Sequence, residues 1–83
     1  MSEDIQQTVK KYILETFLPG ENPDELTERT PLISGGILDS IATLKLVMFL
    51  EEHFGITLQA HEADREHLDN LADIAALVQS KLA

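Results

Sequence analysis

Ser40 is the residue in this sequence whose position best suits chemistry. It follows Asp39 and precedes an apolar run of helical length, Ile41 through Phe54, so a long loop meets the start of a helix here. Serine is a preferred helix N-cap, and a capping role alone would account for the pair Asp39-Ser40. A phosphate esterified at Ser40 would face unpaired backbone N–H groups and the positive end of the helix dipole. The position therefore also suits an anionic modification.

The histidines and the acidic run from Glu62 to Asp69 suggest metal binding, but their spacing argues against it. His61 and His67 are six residues apart, whereas a metalloprotease helix needs histidines at i and i+4 to present both imidazoles on one face. The acidic run lacks the glycine and the ligand periodicity of a calcium loop. Because the chain has no cysteine, thiolate ligands, disulfides and cysteine nucleophiles are excluded. We expect no metal site and no catalytic residue.

The length of the chain limits what it can enclose. A chain of 83 residues buries only roughly 60 to 65 % of its unfolded surface around one core, which leaves little room for a closed catalytic pocket. We therefore expect a single domain, residues 1–83, that is not an enzyme. We also expect a monomer.

The charge balance restricts the classes of partner. Fifteen acidic residues against six basic ones give a net charge of −9, which repels nucleic acid and anionic lipid and attracts basic protein surfaces. No apolar run approaches the ~18 residues of a membrane span, and the acidic start Met1-Ser2-Glu3-Asp4 is unlike a secretion signal. We expect a cytoplasmic protein that binds no nucleic acid and does not insert into membranes.

Helical periodicity and turn residues predict the elements around Ser40. A first helix begins near Ser2 and ends at Pro19-Gly20, and its apolar residues are Ile5, Val9, Tyr12, Ile13 and Phe17. The stretch from Pro19 to Asp39 is predicted to be a long loop with few core contacts that adjusts to different enzymes. The second helix ends at Phe54, with Gly55 as a left-handed C-cap.

The remainder of the chain completes an all-α fold. Gly55 to Leu58 is predicted to be an extended connector, and a short helical turn covers Glu62 to Leu68. Asn70 caps the last helix, whose apolar stripe consists of Leu71, Ile74, Ala75, Val78 and Leu82. We predict a four-helix bundle with three main helices and one short helix.

The second helix has two apolar faces. Leu46, Val47, Leu50 and Phe54 share an arc of about 100° and are predicted to face the core. A second face consists of Ile41, Leu44 and Met48, interleaved with Lys45, Glu51 and Glu52. Either another helix covers this second face, or it is a docking strip for a partner protein, an apolar surface with a charged rim.

The motif around Ser40 resembles the signature of acyl carrier proteins. It consists of Leu38-Asp39-Ser40-Ile41, followed by Leu44, Leu46-Val47, Leu50-Glu51-Glu52 and Phe54-Gly55-Ile56. The resemblance implies that Ser40 receives a 4′-phosphopantetheine arm from coenzyme A through a transferase, and that the arm's thiol holds an acyl or aminoacyl group as a thioester. It further implies a loading ligase and a downstream acyltransferase or synthase as partners.

The same resemblance assigns roles to the neighbouring residues. Asp39 is expected to help the transferase recognise the site. The apolar residues Ile41, Leu44 and Met48 are expected to contact partner enzymes, while Lys45, Glu51 and Glu52 set charge complementarity.

Several positions are more similar to D-alanyl and other aminoacyl carriers than to fatty-acid carriers. Ala42 and Lys45 stand where fatty-synthesis carriers usually hold acidic residues. The segment Gly36 to Ser40 and the tripeptide Asp64-Arg65-Glu66 are the parts that are more similar to aminoacyl carriers. Phe49 is bulky where many relatives hold a small residue, which favours a small cargo. The rival hypothesis is an unmodified acidic helical adaptor, in which Ser40 is only a cap and the strip Ile41, Leu44 and Met48 binds one partner.

Overall fold

The computed structural model describes residues 2–82, with side chains from Ile5 onward. The α-helices are α1 (Ser2–Thr16), α2 (Ser40–Phe54), α3 (Arg65–Leu68) and α4 (Leu71–Leu82), with 3₁₀ turns at Pro23–Glu25 and Ala60–Glu62. Over this part of the chain there is no strand, so the predicted all-α bundle is confirmed. The helical turn predicted for 62–68 is divided into the second 3₁₀ turn and α3. The expectations that rest on the start of the chain, Met1 to Asp4, lie outside the described side chains.

The core is aliphatic and is built mainly from α1, α2 and α4. Ile5, Val9 and Ile13 of α1 are buried, and this helix packs against α4. Tyr12 is only partly buried, and Phe17, also partly buried, follows the end of α1. The first predicted stripe is therefore confirmed for its aliphatic residues, while its aromatic residues lie at the edge of the core.

The last helix begins at the predicted cap. Asn70 Oδ1 accepts a hydrogen bond from the Asp73 N–H at 2.7 Å. The buried residues of α4 are Leu71, Ile74, Ala75, Leu77 and Val78. The prediction that Leu82 belongs to this stripe is wrong, because Leu82 lies in the final turn and is 49% exposed.

The long loop between α1 and α2 packs against the core. The prediction that it makes few core contacts is therefore wrong. Leu26, Leu32 and Leu38 are buried at 3%, 0% and 2% exposure. The Leu32 N–H donates to the backbone carbonyl of Asp69, in the junction between α3 and α4. At Gly35 the loop passes so close to its own backbone that a Cβ would collide with the carbonyl oxygen of Pro31. The loop is thus a packed part of the bundle.

The Asp69 carboxylate holds this loop through three hydrogen bonds. Its Oδ1 accepts from the N–H groups of Ile33 and Ser34, and its Oδ2 accepts from Ser34 Oγ, each at 2.8 Å. These bonds, chiefly the one from the Ser34 N–H, hold the pKa of Asp69 below its ordinary value of 3.8. The carboxylate therefore stabilises the fold when it is ionised, above its unfolded pKa. This contribution disappears as the pH falls through the lower, folded pKa.

We predict that Asp69→Ala lowers the free energy of unfolding by about 1 to 2 kcal/mol near pH 7, because three charge-assisted hydrogen bonds are lost. The difference between wild type and variant should shrink between about pH 5 and about pH 2. Urea unfolding across this range measures it. The control is Asp24→Ala, since Asp24 is exposed and its side chain makes no hydrogen bond among the described residues. A difference that stays constant with pH would contradict the role of the ionised Asp69.

Candidate functional site

The N-cap of α2 is Asp39, and Ser40 is the first residue of the helix. Asp39 has extended backbone angles, φ −85° and ψ −171°, and its Oδ1 accepts a hydrogen bond from the Ala42 N–H at 2.7 Å. Its backbone carbonyl accepts from the Thr43 N–H at 2.9 Å. The interpretation of Ser40 as the cap is therefore wrong. Asp39 occupies the cap because it has the extended backbone conformation from which a side chain reaches the third helical N–H.

Ser40 is left with an unused hydroxyl. The residue is exposed, and its Oγ has no hydrogen-bond partner among the described residues. The sequence predicted that a phosphate at this helix end would face unpaired N–H groups, but not all of these groups are unpaired. The Asp39 carboxylate already binds one of these groups and supplies the negative charge that the helix dipole favours.

Ser40 lies at the edge of an open cleft between the start of α2 and the start of α3. The cleft has a volume of about 490 Å³. Its lining consists of Ile33, Leu38, Asp39, Ser40, Thr43, Ala63, Asp64 and Arg65. An accessible hydroxyl beside an open cleft of this size can accept a bulky phosphodiester without displacing core side chains. The residues present therefore fit a covalently attached phosphopantetheine.

The second apolar face of α2 is exposed, as the docking hypothesis predicts. Ile41, Leu44 and Met48 are 67%, 59% and 52% exposed, so the alternative that another helix covers them is wrong. We call these three residues the apolar strip. On the opposite face, Leu46 and Leu50 are fully buried and Ala42 joins them. Val47 and Phe54, which were predicted to be core residues, are only partly buried.

The charged residues near the apolar strip differ in their surroundings. Lys45 and Glu52 are exposed, whereas Glu51 is partly buried. The Glu51 Oε2 accepts a hydrogen bond from the Leu58 N–H at 2.9 Å and thereby holds the connector after α2. The connector is extended, with Ile56 and Leu58 packed against the core as predicted. Glu51 therefore has a structural contact that spacing along the helix did not reveal.

Phe49 forms part of an aromatic stack that joins α1 to α2. Its ring lies 4.0 Å from that of Tyr12, at an interplanar angle of 10°, and 5.1 Å from that of His53. The Tyr12 hydroxyl donates to the backbone carbonyl of Lys45 at 3.3 Å. The sequence contained these aromatic residues but did not reveal their pairing. The bulk of Phe49 thus packs one helix on another, and its effect on cargo size stays a prediction.

The acidic run and its histidines form local contacts. The His67 ring lies 2.8 Å from Asp64, whose Oδ1 also accepts from the His67 N–H and so caps α3. Their hydrogen bond raises the pKa of His67 and lowers the pKa of Asp64. Lys81 pairs with Glu62 at 2.7 Å. Between Ile5 and Leu82, no three His, Asp or Glu side chains are grouped to hold a metal ion.

Comparison with known proteins gives consistent results. Residues 13–78 match the family described as the phosphopantetheine attachment site. The chain is 35% identical to the D-alanyl carrier protein of Streptococcus suis over 63 residues, which cover 76% of each protein. It is 36% identical to the D-alanyl carrier protein of Lactococcus lactis over 75 residues, which cover 88% of this chain and 95% of that protein. It is 32% identical to the acyl carrier protein of Thermotoga maritima over 80 residues, which cover 96% of this chain and 94% of that protein.

The fold also matches a solved structure. A chain in the crystal structure of an FAD-dependent dehydrogenase superposes with a TM-score of 0.75 and is 34% identical. The match covers 84% of this chain and 97% of that chain, so the matched chain is the shorter of the two. Among residues 2–82, no helix has the length and apolar character needed to cross a membrane.

Proposed function

We propose that this chain, which belongs to the acyl carrier protein family, carries its phosphopantetheine arm on Ser40. The family match shows a carrier that holds an acyl or aminoacyl group as a thioester on this arm. The observation that supports Ser40 is that the residue is exposed, has no hydrogen-bond partner for its Oγ among the described residues, and lines the cleft beside α3. The match to residues 13–78 includes this position.

The attachment step requires a separate transferase. It forms a bond between Ser40 Oγ and the phosphorus of the phosphopantetheine half of coenzyme A, breaks the pyrophosphate bond so that 3′,5′-ADP leaves, and releases the hydroxyl proton. Among the described residues, no side chain forms a hydrogen bond with Ser40 Oγ through which it could accept that proton. We therefore assign the base to the transferase and propose that the carrier is not itself an enzyme. Once bound, the arm supplies the thiol that this cysteine-free chain lacks.

The apolar strip is proposed as the surface that partner enzymes contact. Its three side chains are more than half exposed, and Lys45 and Glu52 provide charges of both signs beside it. An apolar centre with a charged rim suits repeated, reversible docking. The proposed partners are a phosphopantetheinyl transferase, a loading ligase and a downstream acyltransferase or synthase. The chain found in the crystal structure of an FAD-dependent dehydrogenase adds a flavin enzyme to these candidates.

The similarity to D-alanyl carrier proteins supports an aminoacyl cargo. Phe49 is consistent with this proposal, because its stack with Tyr12 fills space between α1 and α2 that a long acyl chain would otherwise occupy. The shared core of the described helices supports a single domain, and we propose a cytoplasmic monomer. Mass spectrometry of the thioester on protein isolated from its own cell identifies the cargo. A long-chain acyl thioester would contradict the aminoacyl proposal.

The test of the carrier function is the addition of the arm. Purified apo protein is incubated with coenzyme A and a broad-specificity phosphopantetheinyl transferase, and its intact mass is measured. We expect a gain of one phosphopantetheine group, which fragmentation places on Ser40. No gain in mass, with a known carrier protein modified in the same mixture, would instead support the unmodified adaptor that binds a partner through the apolar strip.

We predict that Lys45→Glu changes which ligase or transferase loads the carrier while barely affecting its stability. Lys45 is exposed beside the apolar strip, and exposed charges usually contribute under ~0.5 kcal/mol to folding. Loading rates with each candidate partner, measured at two salt concentrations, reveal the effect. Lys11→Glu, at an exposed position of α1, is the control with the same charge change. Equal loading of the Lys45→Glu and wild-type proteins by every partner would contradict a selective role of Lys45.

A further inference from the structure

Arg65 shares the cleft with Ser40. It is the first residue of α3 and is exposed, and among the described residues it is the one cationic side chain that lines this cleft. The ion pairs among the described residues join His67 to Asp64 and Lys81 to Glu62, and neither includes Arg65. A guanidinium group without an assigned partner therefore faces the same space as the proposed attachment oxygen.

The surroundings of Ser40 are unfavourable for an added anion without such a cation. The chain has a net charge of −9, and two carboxylates, Asp39 and Asp64, line the cleft. The backbone N–H groups at the start of α2 cannot fully offset these negative charges, since the Asp39 carboxylate already accepts a hydrogen bond from the Ala42 N–H. A phosphodiester on Ser40 adds a further negative charge beside Asp39.

Two acidic groups near Arg65, Asp64 and Asp69, are engaged with other partners. Asp64 Oδ1 is bound by the ring and the N–H of His67. Asp69 is bound by the loop at Ile33 and Ser34, and its pKa is lowered chiefly by the Ser34 N–H and least by the charge of Arg65. Arg65 thus lies near Asp69 without an ion pair to it, and its donors remain available to a ligand in the cleft.

We propose that the Arg65 guanidinium donates hydrogen bonds to the phosphodiester on Ser40 and holds the base of the arm against the α3 side of the cleft. A planar guanidinium suits this role because its paired donors match two phosphate oxygens. The inference rests on the proposed attachment at Ser40 and makes Arg65 a positioning residue for the arm.

The test uses the full chain in apo and holo forms, without any loading enzyme. We expect addition of the arm to shift the Arg65 Nε–Hε resonance, and this shift should weaken between about 0.02 M and about 0.5 M salt. In holo Arg65→Gln, the ³¹P resonance should move toward that of a phosphopantetheinylated peptide of residues 36–44. Arg65→Lys should partly restore the wild-type ³¹P resonance, because it keeps the charge but not the fork of donors.

The controls separate this inference from the attachment itself. Arg29→Gln removes the other arginine, which does not line the cleft, and should leave the ³¹P resonance unchanged. Thermal unfolding of Arg65→Gln should show a larger loss in the holo form than in the apo form, whereas a purely structural role predicts equal losses. If the arm is present, the Arg65 resonance is the same in the apo and holo forms, and the ³¹P resonance is the same in holo wild type and holo Arg65→Gln, only the role of Arg65 is overturned. A protein that never receives the arm overturns the attachment at Ser40, and this inference with it.

Discussion

Ser40→Ala is expected to abolish addition of the phosphopantetheine arm while leaving the free energy of unfolding within about 0.5 kcal/mol of wild type. The loss should be complete, because the substitution removes the hydroxyl oxygen that forms the new bond. Stability should be retained because Ser40 is exposed, Asp39 supplies the cap, and alanine is favourable inside a helix. Intact mass after incubation with the transferase measures the first effect, and urea unfolding measures the second.

Two further variants serve as controls for Ser40→Ala. Ser34→Ala removes an exposed serine of the loop that precedes α2 and should still accept the arm at Ser40, although it loses the hydrogen bond to Asp69. Asp39→Asn keeps an acceptor that can cap α2 but removes the charge. It should stay folded and should slow arm addition, since the transferase is expected to recognise Asp39. Arm addition to Ser40→Ala at the wild-type rate would refute the assignment of the attachment residue.

Leu46→Ala is expected to unfold a substantial fraction of the protein, and Leu44→Ala is its matched control. Leu46 is fully buried on the inner face of α2, so truncation leaves a cavity and costs roughly 2 to 5 kcal/mol. This is a large part of the roughly 5 to 15 kcal/mol that stabilises a small domain. Leu44 lies two residues earlier on the same helix but is 59% exposed, so the same truncation should cost well under half as much. Urea unfolding of both variants at one temperature measures the difference.

The two leucine variants should also differ in function. Leu44→Ala should remain folded but be loaded more slowly by partner enzymes, because it removes the centre of the apolar strip. Equal losses of stability in the two variants would contradict the assignment of the two faces of α2. For Phe54→Ala we expect a smaller loss than for Leu46→Ala, since Phe54 is only partly buried.

Local patterns in the sequence predicted α1, α2 and α4 and separated the two faces of α2, although Val47 and Phe54 are only partly buried. The period of apolar residues places Ile5, Val9 and Ile13 on one face of α1, and this period depends only on helix geometry. The same reasoning separated Leu46 from Leu44, and Gly55 has the left-handed backbone that its place after α2 indicated, with φ 67°. Such features follow from residues within a few positions of each other.

The cap of α2 shows where local reasoning was insufficient. Asp39 and Ser40 are adjacent, and both residue types are good N-caps. The choice between them depends on which backbone is extended, and the path of the long loop into α2 sets that conformation. This path is in turn fixed by Leu38, whose N–H donates to the backbone carbonyl of Leu32 and whose side chain is buried.

The sequence by itself determined α1, α2 and α4, most of their aliphatic stripes and a serine at the start of an apolar helix, since these depend on neighbours within one or two turns. The tertiary structure alone decided how Asp69 binds Ser34 across 35 positions, how Tyr12 stacks on Phe49, and that Arg65 and Ser40 line one cleft. Contacts between distant residues arise only when the helices pack, and their pairing is not encoded in any local period.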